Sequence, residues 1–182
     1  MKRRPFFFVK REAMVAEILV IVALPLLLAA AGAYDLASFT IPNFLTAALL
    51  AVFLFFIFAA GLSLAAIGWH LLAGLIGLAL GFTLFALGYV GGGDAKLFAV
   101  TVLWLGFRDL LPYALIASIA GGLLTILMLA LRQCPLPQSF MRQAWIAKLH
   151  DARSGIPYGV ALAAGAFILL PSTEIFRLAA AA

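Results

Sequence analysis

An all-α bundle of about six membrane-spanning helices is the fold this sequence predicts. Hydrophobic residues fill 66% of its 182 positions and charged residues only 10%, against roughly half and a quarter in soluble domains. The mean hydropathy is +1.20. The apolar residues come in long stretches separated by brief polar breaks, as membrane spans of about 20 residues require. A soluble fold of this size has no interior large enough for that apolar surface, so residues 1–182 read as one integral membrane domain.

The spans can be placed in order. The first covers about Ala13–Tyr34, the second about Pro42–Ala60 and the third about His70–Val90. A short fourth covers about Asp94–Phe107, the fifth about Leu110–Leu131 and the sixth about Ile156–Leu170. The start, a basic stretch followed by an apolar run and Ala31-Gly32-Ala33, looks like a cleavable signal peptide. Its apolar run is too long for one and further spans follow, so it is expected to stay as the first helix. Pro42 suits the first turn of span two, where a missing N–H costs nothing. Gly91-Gly92-Gly93 is expected to end any regular helix before span four. Pro112 lies near the start of span five, Pro135 and Pro137 break the chain after it, and Pro157 opens span six. Gly77–Gly81 and Gly155–Gly159 both have the GxxxG spacing, and close helix packing is the reading for the first pair.

Charge follows the same plan. The net charge is +5, with Lys2, Arg3, Arg4, Lys10 and Arg11 in a juxtamembrane segment (1–12). Arg132, Arg142, Lys148 and Arg153 fall in a basic loop (132–155). Flanking basic residues meet lipid headgroups and set topology. A nucleic-acid partner would need a soluble basic face, and none is visible. Within the basic loop, Phe140, Met141, Ala144, Trp145 and Leu149 recur at helical spacing, with Arg142 and Lys148 off that stripe. The segment Gln138–His150 therefore reads either as a short amphipathic helix in the interface or as an irregular loop. Cys134 is the only cysteine, so no intrachain disulfide and no paired-cysteine metal site are expected. His70 and His150 lack ligand-forming neighbours in sequence, so no metal or other cofactor is expected. Tyr34 and Trp69-His70 read as interfacial aromatics. Glu17 reads as a partner for Arg11 or as a packed polar group.

The chemistry-bearing candidates are acids near membrane depth, where ionisable groups are costly and usually face a bundle interior or a wet cavity. Asp35 closes span one and Asp94 opens span four. Each also has a plain reading: Asp35 as a solvated loop acid beside Ser38 and Thr40, Asp94 as a helix N-cap after a glycine turn. Six spans would put both acids, and the 132–155 loop, on one membrane side. Two acids sharing a site ionise unequally and hold one proton between them. The charged member can then take a proton from water while the protonated one polarises a peptide carbonyl. The three glycines before Asp94 would permit unusual dihedrals and close approach of a substrate strand. Lys96 lies about 200° around the helix from Asp94, which suits a headgroup or loop contact rather than a direct role.

Three short motifs occur together at the mouths of spans: Asp35 followed by Ile41-Pro42-Asn43, then Gly91-Gly92-Gly93-Asp94-Ala95-Lys96, then Gly155-Ile156-Pro157-Tyr158-Gly159. Their combination resembles the type IV prepilin peptidases, whose GxGDxK pattern the second motif matches, over about Asp35 to Gly165. The resemblance implies Asp35 and Asp94 as the catalytic pair, with Pro42, Asn43, Gly91, Gly93, Lys96, Pro157, Tyr158 and Gly159 in supporting loops. It also implies a cytoplasm-facing site in the bacterial inner membrane that removes the basic leader of a prepilin, whose hydrophobic helix stays in the lipid. The larger bifunctional members carry an extra domain with paired cysteines, which this sequence lacks. The chain is thus more similar to the short Tad/Cpa branch acting on Flp-type pilins, and N-methylation is not expected. That orientation leaves five Lys and Arg on the active-site side (Lys96, Arg132, Arg142, Lys148, Arg153). Seven lie opposite (Lys2, Arg3, Arg4, Lys10, Arg11, Arg108, Arg177), so charge alone does not orient the chain. Two other readings remain: a proton-coupled transporter, which internal repeats would favour, and a non-catalytic scaffold of a pilus or secretion assembly.

Overall fold

A computed structural model describes residues 14–180 and contains helices and no strand among them. Lys2, Arg3, Arg4, Lys10 and Arg11, the start that looks like a signal peptide, and Arg11 as a partner for Glu17 lie outside the described residues. Glu17 itself is half-buried.

The first helix, α1 (Met14–Ser38), extends one turn beyond the expected end at Tyr34. Its buried positions Ala16, Val20, Leu24, Leu28 and Ala31 recur every three or four residues, and Asp35 is next on the same stripe. Pro25 has no N–H to give and its ring crowds the preceding turn. The backbone widens just before it, over Leu19–Ala23, where Leu24 N–H bonds to Leu19 O in a π turn. Phe39 stops α1 in the left-handed region, at φ 58°.

Pro42 immediately precedes α2 (Asn43–Ala59), in extended conformation. The next helix, α3 (Leu64–Ala86), begins six residues earlier than expected because Ser63 caps it, its Oγ accepting Ala66 N–H at 3.2 Å. Trp69 and His70 therefore sit inside the helix. Trp69 stays exposed, while His70 donates from Nδ1 to Leu103 O at 2.8 Å.

Helix α4 (Gly92–Leu105) is short, about 21 Å at 1.5 Å per residue. Every residue from Ala99 to Leu105 is buried. With that stretch enclosed by the neighbouring helices, α4 forms the centre of the bundle. Trp104, fully enclosed, donates to Leu49 O at 3.0 Å and packs on Phe53 and Phe56 of α2. On its other side α4 meets the glycine face of α3. A Cβ on Gly81 would stand 2.9 Å from Ala95 O, and one on Gly77 would stand 3.3 Å from Ala99 Cα. This is the close packing expected for that GxxxG pair, and it matters because lipid leaves little hydrophobic force to drive helices together.

Gly106, at φ 87°, is the single residue between α4 and α5 (Phe107–Gln133), which includes Pro112. The segment Gln138–His150 forms neither one amphipathic helix nor an irregular loop, but two short helices, α6 (Gln138–Met141) and α7 (Ala144–His150). Phe140 and Trp145 remain exposed on them. Pro157 precedes α8 (Tyr158–Leu169), whose small residues pack on α1 and α5. A Cβ on Gly32 would lie 3.3 Å from Ala163 Cβ, and one on Gly165 would lie 3.1 Å from Ala117 Cα. Gly155 lies before α8 with nothing near its Cβ position, so Gly155–Gly159 is not a helix-packing pair. A final helix, α9 (Glu174–Ala180), has no counterpart among the expected spans.

Among the described residues, α1, α3 and α5 are long and apolar enough to cross a membrane, while α2 and the stretch Tyr158–Ser172 are shorter apolar helices. The chain is a helical membrane protein.

Candidate active site

Asp35 is a helix residue, not a solvated loop acid. It occupies the last turn of α1 with 4% of its surface exposed, because the buried stripe of that helix runs through it. Gly159 N–H, in the first turn of α8, donates to Asp35 Oδ2 at 2.6 Å. Only glycine fits there. A Cβ at 159 would stand 2.8 Å from Asp35 Oδ2 and 2.8 Å from Ile41 Cδ1.

Asp94 sits in the first turn of α4, where unpaired N–H groups and the helix dipole favour a carboxylate. Its Oδ2 accepts Gly91 N–H at 3.1 Å. Its Oδ1 is buried and has no partner. Asp94 thus caps its own helix with one oxygen and keeps the other free for a further contact. The two carboxylates, 59 positions apart in the chain, come within electrostatic range of each other.

The glycines before Asp94 act through size rather than through unusual dihedrals. Gly91 has ordinary extended angles, φ −72° and ψ 152°, and Gly92 and Gly93 already belong to α4. The left-handed glycine of this turn is Gly88, at φ 77°. A Cβ on Gly93 would meet Ile41 Cβ at 3.1 Å, and one on Gly91 would meet Asp94 Oδ2 at 2.9 Å. The bare backbone lets the Ile41-Pro42-Asn43 loop lie directly on the Asp94 turn.

Lys96 secures the same junction. Its Nζ donates to Asn43 Oδ1 at 2.9 Å, joining the start of α4 to the start of α2. Lys96 therefore makes a loop contact, one of the two roles its angular position allowed. Lys96→Met keeps the apolar stem and removes the donor. Leader cleavage is expected to slow about two- to fivefold, the scale of one exposed hydrogen bond. A loss comparable to removal of either acid would place Lys96 at the reacting atoms instead.

Pro157 is buried and sets the start of α8. Tyr158 is half-buried; its hydroxyl is 3.4 Å from Thr125 Oγ1, and its ring would touch a Cβ placed on Gly121. Asp35, Asp94, Gly91, Gly93 and Gly159 thus converge with Ile41 at one end of the bundle, and Asn43 and Lys96 brace that end.

Two cations expected to meet lipid headgroups are engaged by protein. Lys148 Nζ donates to Ser38 O at 2.7 Å and lies 5.0 Å from the centre of the Phe39 ring, which holds α7 over the end of α1. Arg132 donates to Leu149 O at 2.9 Å and to Gly155 O at 2.8 Å, fixing the approach to Gly159. The local pattern signals neither contact, because the acceptors are backbone carbonyls that any residue supplies. Ile41 was visible as part of its motif, but nothing local marked it as the residue between Gly93 and Gly159.

A cavity of about 350 Å³ opens beside Asp94, lined also by Gly81, Phe98, Ser118, Gly121 and Tyr158. A larger one of about 600 Å³, lined by Trp69, His70, Arg108, Asp109 and Glu174, lies at the far end of α4 and includes neither Asp35 nor Asp94. Among the described residues, no group of three or more His, Cys, Asp and Glu side chains is arranged to hold a metal ion. Two carboxylates within electrostatic range of each other, with one carboxylate oxygen free, can divide a proton and serve as paired acid and base.

The sequence model of one protein family, described as the type IV leader peptidase family, matches residues 22–126. The match includes both acids and ends inside α5, before Gly159. No curated protein and no solved structure gives a significant match.

Proposed function

Because the chain belongs to the type IV leader peptidase family, we propose that it is an intramembrane aspartyl endopeptidase with Asp35 and Asp94 as its catalytic pair. Family membership makes it a membrane protease of the leader-peptidase type, with a prepilin-type substrate. The single observation that carries the residue assignment is Gly159 N–H held on Asp35 Oδ2 at the same end of the bundle where Asp94 keeps one carboxylate oxygen without a partner.

In the proposed reaction, the ionised carboxylate of the pair takes a proton from water. The resulting nucleophile attacks the scissile carbonyl, whose oxygen is polarised by the protonated partner. The tetrahedral intermediate collapses as the leaving amine takes up a proton, and the pair returns to its singly protonated state. The Gly159 N–H, held on Asp35 Oδ2, keeps that carboxyl oriented throughout the cycle.

The finer assignment follows the motif resemblance. The substrate is a Flp-like prepilin with a short basic leader and a hydrophobic helix, cut at the cytoplasmic face of the bacterial inner membrane by a Tad/Cpa-type enzyme. Mass spectrometry of a candidate pilin's N-terminus, with and without this protein, tests it. A mature N-terminus that appears only when the protein is present is the expected result. An uncut leader with every prepilin offered to the active, reconstituted protein would overturn it.

A further inference from the structure

We infer that the cavity beside Asp94 seats the substrate's apolar helix, which approaches the carboxylates sideways from the lipid. This rests on the reading of Asp35 and Asp94 as the catalytic pair. The walls of the cavity are α3, through Leu80 and Thr83, and α5, through Ala114 and Ser118. Its floor is α4 and α8, through Ala95 and Ala161. Along α5 the lining runs from Ala114 to Gly121, about 10 Å or two helical turns. Both wall helices are candidate spans that are mostly unburied by the rest of the protein, so the cavity lies between two lipid-facing elements.

Three features select a helix as the occupant. The lining is apolar along its length, through Leu80, Leu84, Phe98, Ala114 and Leu162, which suits the apolar surface of a membrane helix. The hydroxyls of the walls are already used: Ser118 Oγ donates to Ala114 O at 2.7 Å and Thr83 Oγ1 to Ala79 O at 2.8 Å. An extended chain in this place would leave its N–H and C=O groups without partners, whereas a helix brings its own. Finally, the cavity ends at Asp94, whose Oδ1 has no partner. The chain therefore needs to unwind only at the head of the cavity, beside the carboxylates.

The test compares two substrates that share one cleavage junction: a membrane-anchored prepilin and a water-soluble peptide without the apolar segment. Ser118→Phe and Thr83→Trp fill the cavity from different walls, at exposed positions that bear no core packing. Each is expected to lower the ratio of anchored to soluble kcat/KM at least tenfold, mainly through KM for the anchored substrate. An unchanged ratio in both variants overturns the inference. Seating is also read without cleavage. In an Asp94→Asn, Cys134→Ser background, Ser118→Cys is treated with a bismaleimide and a prepilin carrying one cysteine in its apolar segment. A specific adduct is expected, with none from Leu129→Cys, which lies outside the cavity. No adduct from Ser118→Cys means that lipid alone fills the cavity, and the seat is wrong. Cleavage that persists in Asp94→Asn would instead refute the catalytic reading, whatever the adduct shows.

Discussion

Asp94→Asn, and equally Asp35→Asn, is expected to reduce leader cleavage by about 10²- to 10⁴-fold, the usual contribution of a positioned acid or base. Folding should survive both changes. An asparagine at 94 still offers an oxygen to Gly91 N–H and loses only the charge that the first turn of a helix favours, a small effect. An asparagine at 35 still offers an oxygen to Gly159 N–H. What disappears is the proton shared by the pair, and with it the ability to act as base and acid in one cycle. The measurement is the cleavage rate of a purified prepilin, set beside the yield and thermal midpoint of each variant in detergent. Normal processing by either variant at a normal midpoint refutes the assignment. So does proton flux through liposomes that depends on Asp94 without any peptide cleavage, which would revive the transporter reading.

Gly159→Ala carries the second large expectation. Its Cβ would be driven to 2.8 Å from Asp35 Oδ2 and 2.9 Å from Asp35 Cβ, closer than such atoms pack. Either the α1 carboxylate or the first turn of α8 must then move by several tenths of an ångström. Misplacement of a reacting group by about 1 Å can cost 10²-fold in rate, so kcat is expected to fall about 30- to 100-fold. Binding of the apolar segment involves other surfaces, and KM should stay within about threefold. A purely structural role for Gly159 would lower the thermal midpoint and the amount of active protein but leave the kcat of the surviving fraction intact. The control is Gly155→Ala, four residues earlier, where nothing lies within 4 Å of the new Cβ. Equal activity of the two alanine variants would show that Gly159 does not position the pair.

The resemblance motifs and the structure meet at the level of single contacts. The three motifs looked like separate loop signatures. In the fold, Gly93 receives Ile41, Lys96 binds Asn43, and Gly159 binds Asp35. Each motif supplies half of a contact completed by another. This is why bare glycines recur in them: where backbone must touch a loop or a carboxylate, a Cβ has no room.

Hydropathy was enough to read the helical membrane bundle and the order of its main helices, and the GxxxG spacing to read the close packing of Gly77 and Gly81. A chain in lipid must satisfy its backbone within each span, which makes the apolar run itself the structural unit. The two acids were equally legible, since few ionisable residues stand near so much hydrocarbon. Even the inward aim of Asp35 was latent in the spacing of Leu24, Leu28 and Ala31. Tertiary structure decided the rest: that Asp35 lies within α1, that α4 is buried on every side from Ala99 to Leu105, and that Lys148 and Arg132 serve backbone carbonyls instead of headgroups. Those outcomes depend on partners 17 to 110 positions away, and local pattern carries no record of which distant carbonyl or carboxylate a side chain will meet.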